Sequence, residues 1–125
     1  MLDDIRHFLQ QYFDVLQNQD LQRFDQVFHP ACVLYSQQDD VTVVRPLAEY
    51  RRMVEARKSP QEGGYGRQDE ILMLDVLAPD MVLAKVRLQL FDNVMVDHLN
   101  LMRVDGRWRI MAKHFYRAGS VARNA

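Results

Sequence analysis

VMVDHLNLMRVDGRWRIMAKHFY, residues 94–116, is the stretch that decides the fold. Apolar and polar side chains alternate on both sides of Asp105-Gly106, a dipeptide typical of the two-residue turn between antiparallel strands. The stretch therefore predicts a β-hairpin. Two ionisable residues, Asp97 and His114, fall in the apolar phase of its strands, the phase that a sheet buries. A buried acid and a buried imidazole each need a hydrogen-bonding partner or a ligand.

The predicted turns fix which residues face each other. Two-residue turns at Asp92-Asn93 and Asp105-Gly106 give registers that agree, and both place Asp97 on the apolar face of the sheet. The second register sets Asp97 opposite His114 with Cβ atoms about 5 Å apart, so that the carboxylate can accept the imidazole N–H. A three-residue loop with a glycine bulge would instead set Val96 opposite His114 and turn the two residues apart.

Beyond this hairpin, the rest of the second half of the chain also alternates with the two-residue period of β-strands. Four strands are predicted, at about 68–77, 81–91, 94–104 and 107–117, and Pro79-Asp80 forms the first of the turns that join them. The segment KSPQEGGYG before them, residues 58–66, predicts a mobile loop. This half of the chain therefore forms an antiparallel meander.

The first half of the chain predicts three helices. Apolar spacing indicates a helix over residues 2–17, and Asp20 suits the N-cap of a short second helix that ends at His29-Pro30. Pro46 suits the first turn of a third helix that continues to Arg57. Between the last two helices, ACVLYS and VTVV predict a strand and its hairpin partner. Helices followed by a meander indicate an α+β fold, with the helices packed on one face of a strongly curved, mostly antiparallel sheet.

Length and composition limit the classes of function. The 125 residues fit a single domain, and 48% hydrophobic with 26% charged residues is ordinary for a globular protein. A net charge of -1 gives no basic footprint for nucleic acid or for an anionic membrane, so neither is expected as a partner. No apolar run approaches the length of a membrane span, and the N-terminus lacks the pattern of a signal peptide. We expect a cytoplasmic protein.

The single cysteine, Cys32, lies in the apolar run ACVLY and predicts a small buried core residue rather than a reactive thiol. Neither paired cysteines nor a histidine-rich motif is present. We therefore expect neither a metal site nor an organic cofactor.

Three segments carry a family resemblance: YFDVLQNQDLQRFDQVFHPACVLY (12–35), PLAEYRRMV (46–54) and DHLNLMRVDGRWRIMAKHF (97–115). Together they resemble the nuclear transport factor 2-like superfamily, also called cystatin-like, in which three helices cover a bent sheet in a cone. The last segment is most similar to the lumazine-binding group, relatives of the SnoaL-like cyclases. Because this superfamily includes isomerases, dehydratases, cyclases and binding proteins, the resemblance implies the fold and leaves the function to the pocket.

A more distant resemblance to ketosteroid isomerases implies roles for single residues. Those enzymes combine a tyrosine and a neutral carboxylic acid in an oxyanion hole, and a separate aspartate moves the proton. The resemblance places Tyr12 at the tyrosine, Asp97 at the acid and Ser36 at the base. A serine cannot act as a base at neutral pH without an activating partner, so the proton shuttle is missing. His114 can replace it, although its contact with Asp97 favours an ionised carboxylate over the neutral acid.

Three functions follow from these patterns. The leading one is a small-molecule-binding protein whose ligand is planar or alicyclic, largely apolar, with a polar edge at Asp97. The alternative is a lyase, isomerase or cyclase that uses Asp97 and His114 for proton transfer and Tyr12 as the oxyanion donor. A third is a structural dimerisation module without a ligand.

The predicted pocket combines three kinds of side chain. Its ionisable members are Asp97 and His114, and its apolar members are Leu16, Phe28, Val54 and Leu99. Aromatic side chains with polar tips complete it: Tyr12, Tyr35, Tyr50 and Tyr116.

The other face of the sheet predicts a homodimer. Apolar side chains recur in the outward phase of the last two strands, and a monomer rarely exposes a large contiguous apolar patch. The predicted interface comprises Val96, Asn100, Met102, Met111 and Phe115.

Overall fold

The computed structural model describes residues 2–121. Three helices, α1 (Leu2–Asn18), α2 (Leu21–Val27) and α3 (Leu47–Ala56), alternate with the first strands, β1 (Phe28–Gln38) and β2 (Val41–Pro46). Four further strands follow: β3 (Asp69–Ala78), β4 (Met81–Leu90), β5 (Asn93–Val104) and β6 (Arg107–Ser120). The predicted α+β fold is confirmed. No helix within residues 2–121 is long and apolar enough to cross a membrane.

All six strands form one curved sheet in the order β2-β1-β6-β5-β4-β3. Every neighbouring pair is antiparallel except β1 and β6, which run parallel and join the first hairpin to the meander. The helices pack on one face, with α1 against β4, α2 against β1 and β6, and α3 against β1 and β2. The core lies between the helices and this inner face of the sheet.

Local chemistry explains the helix boundaries. The Asp20 side chain accepts hydrogen bonds from the backbone N–H groups of Gln22 and Arg23, which confirms it as the N-cap of α2. The helix ends at Val27, earlier than predicted, because β1 already begins at Phe28 and continues through Pro30. Pro46 has extended backbone angles and precedes α3 as its N-cap, so the prediction that it lies in the first helical turn is wrong.

The hairpin turns were predicted with one error. Asp105-Gly106 forms a two-residue turn, and both residues have positive φ, as the tight turn requires. Between β4 and β5, however, the turn is Phe91-Asp92 and not Asp92-Asn93, with Leu90 opposite Asn93. The pairing therefore moves by two residues, which keeps the alternation of faces, so Asp97 pairs with Val86 and stays on the inner face.

Candidate functional site

Asp97 lies on the inner face at the centre of a buried polar cluster. Tyr12, on α1, donates its hydroxyl hydrogen to Asp97 Oδ2 at 2.7 Å. The ammonium of Lys113, on β6, lies 3.8 Å from the same oxygen. The Asp97 and Lys113 side chains are only 2% and 5% exposed. A buried ion pair of this kind is costly unless other groups complete its hydrogen bonding.

Two aromatic rings complete the surroundings of Lys113. Its Nζ lies 5.3 Å from the ring centroid of Tyr12 and 5.3 Å from that of Tyr50. Both distances suit cation–π attraction, which strengthens when the cation is removed from water. The two tyrosines and Asp97 thus stabilise a cation in the core.

The protonation states of the cluster follow from its surroundings. Burial raises the pKa of Tyr12 well above its ordinary value, and the Asp97 carboxylate raises it further. Burial lowers the pKa of Lys113, but its electrostatic interactions with Tyr50 and Asp97 outweigh that effect, and the pKa is raised overall. At neutral pH Tyr12 is therefore a phenol that donates to Asp97, and Lys113 is an ammonium.

Asp97 and Lys113 form the floor of a cavity of about 190 Å³ between α3 and the sheet. Its walls are mainly apolar and include Leu16 from α1, Tyr50 and Met53 from α3, and Met95 from β5. Asp97 Oδ1 has no hydrogen-bond partner among the described residues. Asp97, a lining residue, therefore holds one buried acceptor that no described residue satisfies, beside the Lys113 cation.

The opening of the cavity carries two further cations, Arg45 on β2 and Arg57 after α3. The Arg57 guanidinium lies 5.1 Å from the ring centroid of Phe91 and 6.0 Å from that of Tyr50. Phe91 has a φ of 56°, an uncommon conformation for a bulky residue, and its ring also packs edge-on against Tyr65. These ring contacts hold Phe91 at the opening in spite of its backbone strain.

The ten predicted pocket residues fall into three groups. Leu16, Tyr50 and Asp97 line the cavity as predicted. The second group is buried in the core behind it: Tyr12, Phe28, Val54 and Leu99. The third group lies on or toward the outer face of the sheet, in a shallow groove along the first hairpin: Tyr35, His114 and Tyr116.

The predicted pair of Asp97 and His114 is wrong because β6 contains a bulge. Near the turn, Leu101 pairs with Ile110 as predicted, but Asn100 pairs with Ala112, so Met111 is an extra residue. Beyond the bulge every side chain of β6 changes face. Phe115, predicted on the outer face, points toward the helices and lies opposite Asp97, and Lys113 in the same phase of β6 points inward with it.

His114 therefore faces outward. It pairs directly with His98, the two rings 6.3 Å apart, and its ring packs edge-on against Tyr35. In this arrangement it cannot exchange a proton with Asp97.

The sequence matches the model of a protein family described as "Putative lumazine-binding" over residues 2–116. The chain belongs to this lumazine-binding family. The predicted nuclear transport factor 2-like fold is confirmed as a fold. No curated protein matches the sequence significantly.

Several solved structures share the fold of this member of the lumazine-binding family, although their sequence identity to it is low. A nuclear transport factor 2-like protein of unknown function from Shewanella baltica is 16% identical, with a TM-score of 0.81 over 95% of this chain and 94% of that one. Another, from Methylobacillus flagellatus, is 18% identical, with a TM-score of 0.79 over 94% and 92%. A third, from Silicibacter pomeroyi, is 14% identical, with a TM-score of 0.78 over 93% and 94%. These likenesses show the fold alone.

The three cations that line the cavity were not predicted from the sequence. Arg57 shares the helical spacing of Tyr50 and Met53, and this spacing was a usable signal, because a cation in that phase points toward the core. Arg45 follows VTVV, and nothing in the sequence marks it as inward. The inward direction of Lys113 was not predicted, because the bulge in β6 moves its side chain to the other face of the sheet. Phe115, an apolar residue in the same phase, was the one indication in the sequence that this phase could be buried.

Proposed function

We propose that the chain binds a small flat heterocycle that presents a ring N–H next to a carbonyl oxygen. The observation that carries the proposal is Asp97 Oδ1, a buried acceptor without a partner among residues 2–121, at the floor of an apolar cavity beside the Lys113 ammonium. An unsatisfied buried acceptor costs about 1–3 kcal/mol. A ligand N–H would donate to Oδ1, and Lys113 would donate to the adjacent carbonyl oxygen.

The size and walls of the cavity support a ligand of one or two rings. An apolar cavity of about 150 Å³ accommodates benzene in another protein, and this one measures about 190 Å³. Its side chains do not fill it, which disfavours a purely structural module. The apolar walls suit the faces of a flat ring, and the polar floor fixes its orientation.

The family description supports the same class of ligand. It names lumazine, a two-ring pteridine whose ring N–H groups are flanked by carbonyl oxygens. That pattern of donors and acceptors complements Asp97 Oδ1 and the Lys113 ammonium. Lumazine is therefore the probe of choice for this site.

Binding without turnover is the function that the geometry supports best. The enzyme predicted from the isomerase resemblance needs a proton acceptor near Asp97, and His114 lies on the other face of the sheet. Tyr12 donates its hydroxyl to Asp97 and does not line the cavity, so it offers no oxyanion donor to a ligand.

Calorimetric titration of the purified protein with lumazine tests the proposal. We expect lumazine to bind, and the analogue with both ring N–H groups methylated to bind at least about tenfold more weakly, because Asp97 Oδ1 then receives no hydrogen. Asp97→Asn should weaken lumazine binding by a similar factor. His114→Ala and Asp75→Asn, both away from the cavity, should not change it. Equal affinity for lumazine and its methylated analogue would refute the proposal.

A further inference from the structure

The charges around the cavity do not balance. Among residues 2–121, three cationic side chains, Arg45, Arg57 and Lys113, line the cavity, and Asp97 is the one carboxylate that does. Glu49 lies 3.6 Å from Arg45 Nε but is half exposed and outside the lining. Lys113 is paired with Asp97 at the floor. The excess positive charge is therefore that of Arg45 and Arg57, at the opening. Water screens an exposed guanidinium well, but a half-buried one much less.

Arg45 is only loosely paired within the protein, through its ion pair with the half-exposed Glu49. Its side chain is 22% exposed, and its Nε is buried without a hydrogen-bond partner among residues 2–121. Its guanidinium carbon lies 5.9 Å from the ring centroid of Phe115, a lining residue. A guanidinium group has a fixed fork of N–H donors that matches the two oxygens of a carboxylate. Because Nε is closed to solvent, an anion in the cavity would bind the terminal N–H groups of this guanidinium.

Arg57 is held in place before any ligand arrives. Its guanidinium packs on the rings of Phe91 and Tyr50, and the Gln19 amide lies within reach, so that with its oxygen turned toward Arg57 it would accept from Nε at 2.9 Å. A cation fixed in this way loses little conformational freedom when it binds an anion.

The backbone positions of Arg45 and Lys113 indicate the length of the ligand. Arg45 pairs with Leu34, and Leu34 pairs with Lys113, so the two cations lie in one row of the sheet with a single strand between them. Two strand spacings separate their Cα atoms by roughly 10 Å. A two-ring heterocycle with a substituent on its far edge spans a gap of this order.

We propose that the natural ligand is a carboxylate-bearing heterocycle, with its N–H and carbonyl edge at Asp97 and Lys113 and its carboxylate at Arg45 and Arg57. This inference rests on the proposed function, because it assumes the same ring in the same cavity. A carboxylate fits better than a phosphate, since it is planar, carries one charge, and takes up little of a cavity of about 190 Å³.

Three probes separate the two proposals: lumazine, lumazine with a carboxylate on its pyrazine ring, and the matching carboxamide. The carboxamide keeps the shape of the acid without its charge. For the unaltered protein we expect the acid to bind at least about tenfold more tightly than the carboxamide, with a preference that shrinks as salt is added. Arg45→Met and Arg57→Met should each reduce that preference strongly. Arg52→Met, an exposed change on the same helix as Tyr50, should leave it intact.

Each outcome decides one of the proposals. If lumazine and the carboxamide bind as tightly as the acid, the carboxylate proposal is wrong and the proposed function stands. A preference for the acid that survives both arginine changes, in variants with unchanged circular dichroism, also overturns it. If none of the three probes binds, the proposed function fails and the carboxylate proposal fails with it.

Discussion

At the scale of single residues, the buried ion pair of Asp97 and Lys113 needs both of its members. The carboxylate accepts from Tyr12 and lies beside the ammonium, and the side chains are almost completely removed from water. Breaking such a pair leaves an uncompensated buried charge, which costs about 3–5 kcal/mol, whereas replacing both members by neutral groups is often close to neutral. The stability of the core thus depends on the pair being complete, not on its charge.

A double-mutant cycle tests this dependence. Asp97→Asn keeps an acceptor for Tyr12 and strands the ammonium, and Lys113→Met strands the carboxylate, so each should lower the free energy of unfolding by about 3–5 kcal/mol. The double variant should lose less than either single variant. Urea unfolding gives the three differences. Additive losses would show that the two charges do not interact.

Tyr12 makes the stability depend on pH in the alkaline range. Its pKa in the folded protein is raised well above the value near 10, first by burial and then by Asp97. Above about pH 10 the unfolded chain loses a proton that the folded protein keeps, so stability is fully present below that pH and falls by about 1.4 kcal/mol per pH unit above it. Other tyrosines and lysines add slopes of their own, and a variant is needed to isolate this one.

Tyr12→Phe is that variant. It should be less stable than the unaltered protein by about 1–3 kcal/mol at pH 8, because Asp97 Oδ2 loses a donor. We expect the gap in unfolding free energy to narrow above about pH 10, where only the unaltered protein loses the contribution of Tyr12. Urea titrations across this range measure the gap. A gap that stays constant with pH would mean that Tyr12 ionises alike in both states.

At the scale of elements, the sequence predicts each helix and strand but not the faces of β6. In β4 the alternation of apolar and polar side chains predicts the inner face correctly, because the even-numbered residues from Val82 to Leu90 are all apolar. The end of β6 has no such contrast, because one phase holds His114 and Tyr116 and the other holds Lys113 and Phe115. Each phase mixes polar and apolar groups, so hydrophobicity does not select between them, and the bulge at Met111 decides.

The site was predictable to the same extent as the register. The inward direction of Asp97 was predictable because β4 and β5 alternate regularly on both sides of their turn. The turn lies at Phe91-Asp92 and not at the predicted Asp92-Asn93, but this change does not alter the face on which Asp97 lies. Tyr12 was found through the isomerase resemblance, and it does reach Asp97, though as a donor to the acid and not to a ligand. The contact between α1 and β5 joins residues 85 positions apart and leaves no trace in local periodicity.

At the scale of the whole molecule, we still predict a homodimer through the outer face of the sheet. The structure corrects the set of residues on that face. Phe115 leaves the set because it points inward. Tyr35 and Tyr116 join it, with 38% and 51% of their surfaces exposed. Tyr116 pairs directly with Val96, and Tyr35 pairs with His114, so this face of β1, β6 and β5 carries aromatic and apolar side chains together with His98 and His114. A surface of this kind favours self-association.

Sedimentation equilibrium at micromolar concentration measures the association, and we expect twice the mass of one chain. Val96→Lys with Tyr116→Lys places two cations opposite each other, so that two copies brought together would bury four unpaired charges, and the mass should fall to that of one chain. Leu77→Lys is the matched control, because Leu77 is 78% exposed on the edge strand β3, away from this surface. That variant should keep the full mass. A single-chain mass for the unaltered protein would remove the dimer, and loss of association in Leu77→Lys alone would move the interface to the sheet edge.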